Sequence, residues 1–343
     1  MSATSVTAHE PILDIAHLDH VELLTPKPEE SLWFFHDVLG MEEVHRAGDS
    51  VYLRCYGDYQ KFSLKLTAAK QPGIARIGWR VVSPQALERR AAAIEAQGLG
   101  RGWCEGDFGF GRTFRFEDPD GHPMEIFFEQ ERYVAPPDMR SSLKNQPARF
   151  TGRGVGAKRI DHLAVLCGDV EKNRRFMIDT LGFQLREQVL FNEGKTEIGS
   201  WMSVTPIHHN IAYVKDAAAK GRSGRLHHFS MWVDNRDDVL RAADLYRENG
   251  IFIEAGPSRH NLSQAFYLYA YEPGGNRIEV YSGGYLVFAP DYEPVTWNEA
   301  ERGPGVHWGQ PLPPSFGQYA TPPVPLEPAA AGEEAKVPAI DPL

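Results

Sequence analysis

Apolar residues recur along this chain in two rhythms, and the whole alternation of rhythms occurs twice. Runs of period two, such as Ala16 to Leu24, Ile77 to Val82, 160–167 and 226–233, predict strands. Alternate side chains of a pleated ribbon leave opposite faces, so one face of each run is apolar. Between them lie stretches with helical spacing: Pro28 to Leu39, Pro84 to Gln97, 170–181 and 235–249. Gly40 is a natural stop for the first helix, and Ser83 before Pro84 a natural start for the second. Val51 to Leu66 offers two short strands around Gly57-Asp58, and another group ends with Glu125 to Phe128. In the second half, strands are expected through Val214 and at 251–254, 265–271 and 277–281. Short strands alternating with single helices predict an α+β fold built from βαβββ units with curved mixed sheets.

The second half repeats the first. Leu18-Asp19-His20-Val21-Glu22-Leu23 matches Ile160-Asp161-His162-Leu163-Ala164-Val165, and each is followed by a helix closing on Leu-Gly, at Leu39-Gly40 and Leu181-Gly182. Further on, Glu117-Asp118-Pro119-Asp120-Gly121-His122-Pro123-Met124-Glu125 matches Tyr271-Glu272-Pro273-Gly274-Gly275-Asn276-Arg277-Ile278-Glu279. Aligning Val82-Ser83 with Val233-Asp234 places Ile77 opposite His228. The expected organisation is a first domain over 13–135, a Pro/Arg/Gly/Ser-rich linker over 136–158 and a second domain over 159–288. A proline-rich tail with spaced aromatics, 289–320, should pack on the second domain, and 321–343, rich in Pro, Ala and Glu, should be disordered.

Composition narrows the function classes. The chain has 343 residues and a net charge of −10, which disfavours nucleic acid and anionic membrane as partners. No apolar stretch is long enough for a membrane helix, and the N-terminus lacks a secretory pattern, so the expected location is cytoplasmic. Cys55, Cys104 and Cys167 are odd in number and widely spaced, which suits three reduced thiols better than a disulfide framework.

The chemistry concentrates in three matched positions of the second half. His162, His228 and Glu279 each sit inside a short alternating apolar run. Two imidazoles and one carboxylate on strands are the ligand set of a facial triad, which leaves three adjacent metal positions open for substrate and oxygen. The first half keeps His20 and Glu125 but lacks the central imidazole, so only the second half is expected to hold metal.

Around these residues the chain resembles the type I extradiol ring-cleavage dioxygenases of the vicinal oxygen chelate superfamily, across roughly residues 13 to 315. The segment Gly256-Pro257-Ser258-Arg259-His260-Asn261-Leu262-Ser263-Gln264-Ala265-Phe266-Tyr267-Leu268-Tyr269, followed by Glu279 in Ile-Glu-Val-Tyr, looks like that family's signature. Trp201-Met202 and His208-His209-Asn210-Ile211-Ala212 resemble the stretch that carries its acid–base histidine. The catechol and homoprotocatechuate 2,3-dioxygenases are the most similar group. The resemblance implies four βαβββ modules paired into two tandem domains, each an open barrel-like funnel of mixed strands. It further implies Fe(II), with Mn(II) as an alternative, held by His162, His228 and Glu279. A catecholic substrate and O2 would be the partners, and the assembly a homo-oligomer.

By the same resemblance, His209 is the acid–base residue, and His260 and Tyr269 hydrogen-bond the substrate oxygens. Tyr267 would share a strand face with Tyr269, while Trp201 and Phe288 would wall the pocket. His208 and His227 would point to the opposite strand faces from their neighbours. Relatives that cleave carboxylate-bearing catechols carry an arginine where this chain has Ala255, and an amide where it has Ala164. Loss of that bidentate partner predicts a neutral alkyl- or aryl-substituted catechol, unless Arg259 or Arg302 supplies a substitute cation. The rival readings are a glyoxalase- or isomerase-type metalloenzyme on this scaffold and a non-catalytic small-molecule-binding member.

Overall fold

A computed structural model describes residues 10–219, 221–302 and 305–322. The first nine residues lie outside the described residues, as does nearly all of the segment expected to be disordered. The first half runs β1 (Ile15–Thr25), α1 (Pro28–Trp33, continuing as a π-helical turn Phe34–Val38), β2 (Glu42–Ala47), β3 (Ser50–Arg54), β4 (Leu64–Ala68) and β5 (Gly73–Val81). It continues through α2 (Pro84–Ala96), β6 (Gly100–Cys104), β7 (Thr113–Glu117) and β8 (Pro123–Phe127). The second half repeats the order: β9 (Arg159–Cys167), α3 (Val170–Leu181), β10 (Gln184–Phe191), β11 (Thr196–Ser203), β12 (Ile211–Lys215) and β13 (Arg225–Trp232). Then come α4 (Arg236–Glu248), β14 (Ile253–His260), β15 (Phe266–Tyr271) and β16 (Arg277–Ser282). The tail adds β17 (Val295–Trp297), α5 (Glu299–Arg302), β18 (Val306–Trp308) and α6 (Pro314–Gln318).

Local chemistry sets the helix ends. The Ser83 side chain accepts the Ala86 amide at the start of α2, Asp169 accepts Lys172 at α3, and Asn235 accepts Asp237 and Asp238 at α4, each satisfying an otherwise orphaned N–H. Gly182 closes α3 in the left-handed region at φ 81°, a conformation that glycine adopts without a Cβ penalty.

Two mixed sheets carry the molecule, in the orders β2-β3-β4-β1-β5-β8-β7-β6 and β17-β10-β11-β12-β9-β13-β16-β15-β14-β18. Tail strands β17 and β18 extend the second sheet at its two edges, against β10 and β14. One apolar core runs through both halves, with Trp79 edge-on to Phe183 at 5.0 Å. Matched turns also cross between the halves. His122 Nε2 lies 3.1 Å from the Leu166 carbonyl, and the Asn276 amide donates to the Leu24 carbonyl at 3.0 Å. Leu24 and Leu166 are equivalent in the repeat, so the two contacts form a pseudo-twofold pair. Among the described residues no helix is long and apolar enough to cross a membrane.

The repeat register differs from the expected one by a residue. His228 pairs with Ala164 across β13 and β9, and Ala164 corresponds to Glu22, which pairs with Arg76. The helix caps agree, since Ser83 corresponds to Asn235 rather than Asp234. Arg76, not Ile77, therefore occupies the position of His228. Bulges in both strand pairs disturb the period of two on which the expected alignment depended.

Candidate metal centre and its cavity

His162 on β9, His228 on β13 and Glu279 on β16 stand on three adjacent strands. Their ligand atoms all lie within 4.8 Å of one another. His162 Nε2 is 2.9 Å from Glu279 Oε2 and 3.3 Å from His228 Nε2, and the third edge, His228 Nε2 to Glu279 Oε2, is 3.7 Å. Two ligands at right angles, each about 2.1 Å from one cation, stand about 3 Å apart, so this triangle has the size of one octahedral face. Glu279 Oε2 is fully buried and makes no hydrogen bond. An acceptor left bare in the interior is costly unless something positive meets it.

Neighbouring groups turn the two imidazoles toward the same point. His162 Nδ1 lies 2.8 Å from Asp161 Oδ2, which can only accept, so the proton of the neutral ring sits on Nδ1 and leaves Nε2 bare. At His228 the same result is reached in two steps. His227 Nε2 donates to the Phe316 carbonyl at 2.7 Å. Its bare Nδ1 then accepts from His228 Nδ1, also at 2.7 Å. Burial and the charge of Arg277 hold His227 well below its ordinary pKa, which keeps it neutral. His228 is driven down to about 3, chiefly by burial. At His162 burial also pulls downward, but Glu279 and Asp161 outweigh it and push the ring up to about 9, so Nε2 is bare only once a metal has displaced the proton that these carboxylates attract. The buried carboxylate thus demands a cation, and the donor set fits a divalent metal.

Over the triangle opens a cavity of about 120 Å³. His209, His260, Tyr269 and Tyr281 line its inner end, and Ala164, Leu166, Trp201, Val214, Leu312 and Phe316 give it an apolar outer wall. The His209 ring centroid is 3.9 Å from that of His162. His260 Nε2 lies 3.0 Å from the Tyr269 hydroxyl and 3.4 Å from Glu279 Oε1. Tyr267 stacks on His260 at 3.8 Å but does not reach the cavity.

Other expectations need correcting. Phe288 is 75 % exposed and does not wall the cavity; Phe316, brought in by α6, stands there instead. His227 does reach the cavity lining, because the bulge between Leu226 and His228 breaks the alternation that would have turned it away. His208 belongs to a loop before β12, so strand alternation does not govern it; its Nδ1 meets His209 Nδ1 at 2.7 Å. Arg259 donates to the Gln264 carbonyl and lies over Phe266, outside the cavity lining, and the Arg302 side chain lies outside the described residues. Ala255 packs among Tyr267, Tyr269 and Val306. Lys215 reaches the outer rim, with its ammonium donating to the Gly168 carbonyl.

One buried residue carried no signal strong enough to be singled out. Glu187 accepts from His208 Nε2 at 2.8 Å, the Ser263 amide at 3.0 Å, the Tyr285 hydroxyl at 2.8 Å and Trp297 Nε1 at 2.6 Å. It sits among polar neighbours, Arg186-Glu187-Gln188, far along the chain from His208-His209, so its sequence surroundings do not mark it.

The matched position in the first half is closed. His20 bridges Asp19 at 2.9 Å and Glu125 at 3.0 Å. Arg76 and Arg115 approach Glu125 at 3.6 and 3.4 Å. Phe62, Phe110 and Phe127 pack around the His20 ring, with centroids 4.9 to 5.5 Å away. Here permanent guanidinium charge and aromatic packing stand, where the other half has the candidate metal triangle and its cavity.

The model of the Glyoxalase/Bleomycin resistance protein/Dioxygenase superfamily matches residues 17–126 and 159–280. A metapyrocatechase from Geobacillus stearothermophilus is 46 % identical over 316 residues, covering 91 % of this chain and 95 % of the relative. A manganese-dependent 2,3-dihydroxybiphenyl 1,2-dioxygenase from Geobacillus genomosp. 3 is 42 % identical, over 86 % of this chain and 94 % of its own length. Homoprotocatechuate 2,3-dioxygenase from Brevibacterium fuscum, solved in complex with 3,4-dihydroxyphenylacetate, superposes with a TM-score of 0.80 at 28 % identity, over 92 % of this chain and 95 % of that one.

Proposed function

The chain belongs to the Glyoxalase/Bleomycin resistance protein/Dioxygenase superfamily and is a ring-cleaving extradiol dioxygenase within it, and we propose that it opens a neutral, alkyl- or aryl-substituted catechol at a metal held by His162, His228 and Glu279. The observation that carries this reading is Glu279 Oε2, buried and without a hydrogen bond, facing two imidazole nitrogens that their neighbours leave bare. The metal is Fe(II); the manganese dependence named for a relative makes Mn(II) the alternative. When bound, it offers adjacent positions to the catechol oxygens and O2 and passes electrons between them.

The protein's own groups do the rest. Tyr269 and His260 sit beside Glu279, where they orient the substrate oxygens by hydrogen bonding. His209 faces them from the other side of His162. Its Nε2 takes a proton as oxygen is activated and returns it to the oxygen that departs when the O–O bond breaks, the work of a neutral imidazole. Burial and the neighbouring imidazoles hold His209 well below its ordinary pKa, so it stands ready as a base. Trp201, Leu312 and Phe316 exclude water and stack on an apolar ring substituent. Ala255 and Ala164 leave no side chain to pair with a substrate carboxylate, which supports a neutral substrate.

The test is anaerobic loading with Fe(II), addition of catechol, 3-methylcatechol or homoprotocatechuate, and admission of air. Yellow semialdehyde with matching oxygen uptake, strongest for the neutral catechols, is the expected result. Preference for the acid would overturn the substrate assignment. His228→Ala should lose both metal and activity, while His209→Asn should keep metal and turn over about 10²-fold or more slowly. Loss of metal from the His209 variant would overturn its role.

A further inference from the structure

Two buried side chains behind His209 touch neither the cavity nor the metal triangle, yet they determine which of its nitrogens is bare. Glu187 and His208 are 2 % and 3 % exposed, and neither lines the cavity. We infer that Glu187 and His208 form a positioning relay that holds His209 in its Nδ1–H tautomer and so presents Nε2 to the substrate as a proton acceptor. The inference rests on the acid–base role proposed for His209.

The argument is one of donors and acceptors. An ionised carboxylate can only accept, so His208 Nε2, 2.8 Å from Glu187 Oε1, must carry a proton. A neutral His208 then has a bare Nδ1. That nitrogen lies 2.7 Å from His209 Nδ1, a contact that requires one proton between the two. His209 must supply it, and its remaining nitrogen is left without one.

Two features keep the relay in this state. Glu187 already receives the Ser263 amide, the Tyr285 hydroxyl and the Trp297 indole, so it stays ionised without needing a charged His208. Burial, which holds His208 below its ordinary pKa, also favours the neutral ring. The bulge between Leu185 and Glu187 in β10 is the local device that turns the glutamate inward. Trp297 lies on β17 and Tyr285 in the segment after β16, so the chain that follows the last ligand-bearing strand completes the relay.

The substitutions that separate positioning from packing are His208→Gln and His208→Leu. A glutamine can accept from His209 through its amide oxygen and donate to Glu187 through its nitrogen, whereas leucine can do neither. In the iron-loaded enzyme, His208→Leu should lower kcat about 10- to 100-fold, a share of what general acid–base catalysis supplies. KM, iron content and anaerobic catechol affinity should remain near the parent values. His208→Gln should recover kcat to within about threefold, a rescue that lost packing would not produce. In the zinc-substituted protein, nitrogen-15 NMR should show His209 protonated at Nδ1, a readout that does not depend on turnover or on a variant folding.

His208→Leu turning over within about twofold of the parent, equal losses in both variants, or an Nε2–H signature at His209 would each overturn the relay. If the parent cleaves no catechol, or His209→Asn is as active as the parent, the acid–base reading itself has failed, and the NMR signature still decides the tautomer.

Discussion

The closed site of the first half makes a prediction about stability that can be worked through from one residue. His20 is buried between Asp19 and Glu125. Burial alone would lower its pKa, but hydrogen bonds and charge from both carboxylates outweigh that and raise it from 6.5 to about 9. A histidine whose pKa is higher folded than unfolded stabilises the fold fully below the unfolded value. That contribution is lost as pH rises through the folded value. The window is therefore pH 6.5 to 9. A displacement of 2.5 pH units, from 6.5 to 9, at about 1.36 kcal/mol per unit gives roughly 3 kcal/mol in all, most of it lost between pH 7 and 9.5. Arg76 and Arg115, which also face Glu125, stay charged throughout and do not contribute to the slope. The assay is the thermal midpoint against pH for the parent and for His20→Gln, both saturated with metal so that the ligand histidines do not titrate. The parent should lose several degrees more than the variant across the window, with the gap between them closing near pH 9.5. Parallel curves would show that His20 is not a buried cation and would refute the reasoning.

Two further outcomes follow from other buried groups. Arg277 and Glu254 are fully buried and paired through Nε at 2.5 Å and Nη2 at 2.9 Å; Arg277→Met strands that carboxylate and should cost about 3–5 kcal/mol in a denaturant titration, with the double variant Arg277→Met, Glu254→Leu recovering part of it. Ending the chain at Leu312 removes the Phe316 carbonyl that orders His227 and His228, and metal affinity measured by competition with a chelator should fall about 10- to 100-fold; unchanged affinity would show that the tail does not set the His228 tautomer.

The parts of this molecule that a reader of the sequence can see are those governed by short-range rules. Helices α2 and α3 declare themselves through Ser83-Pro84 and through the Leu181-Gly182 stop, because caps satisfy backbone groups within one turn. The three clustered candidate ligands are visible because each lies in a strand-like run at a repeated position. What escapes is whatever depends on a break in periodicity. β2, with Glu42, Glu43, His45 and Arg46 on an edge, lacks the apolar alternation of a half-buried strand, and β14 continues past Gly256-Pro257 to His260. Bulges shift the repeat by one residue, which is why Ile77 stood in for Arg76, and they turn His227 into the cavity. Phe288 and Phe316 are both aromatic residues near the tail, and only the path of the chain decides which one is enclosed.

The register correction changes how the two halves relate. With Ile77 opposite His228, the first half would be a site that had lost a ligand and kept nothing in its place. With Arg76 there, Glu125 faces a fixed positive charge and a histidine bridged to a second carboxylate. Electrostatically this is the same solution as in the second half, a buried carboxylate neutralised at the meeting of three strands, reached without metal. Three aromatic rings pack around His20, whereas a cavity opens beside His162. A single substitution that removes Arg76 would leave Glu125 still paired with His20 and Arg115, and so would not create a second centre. The division of labour follows from charge and volume together: one half is closed by its own cation and packed solid, and the other is left open, one cation short.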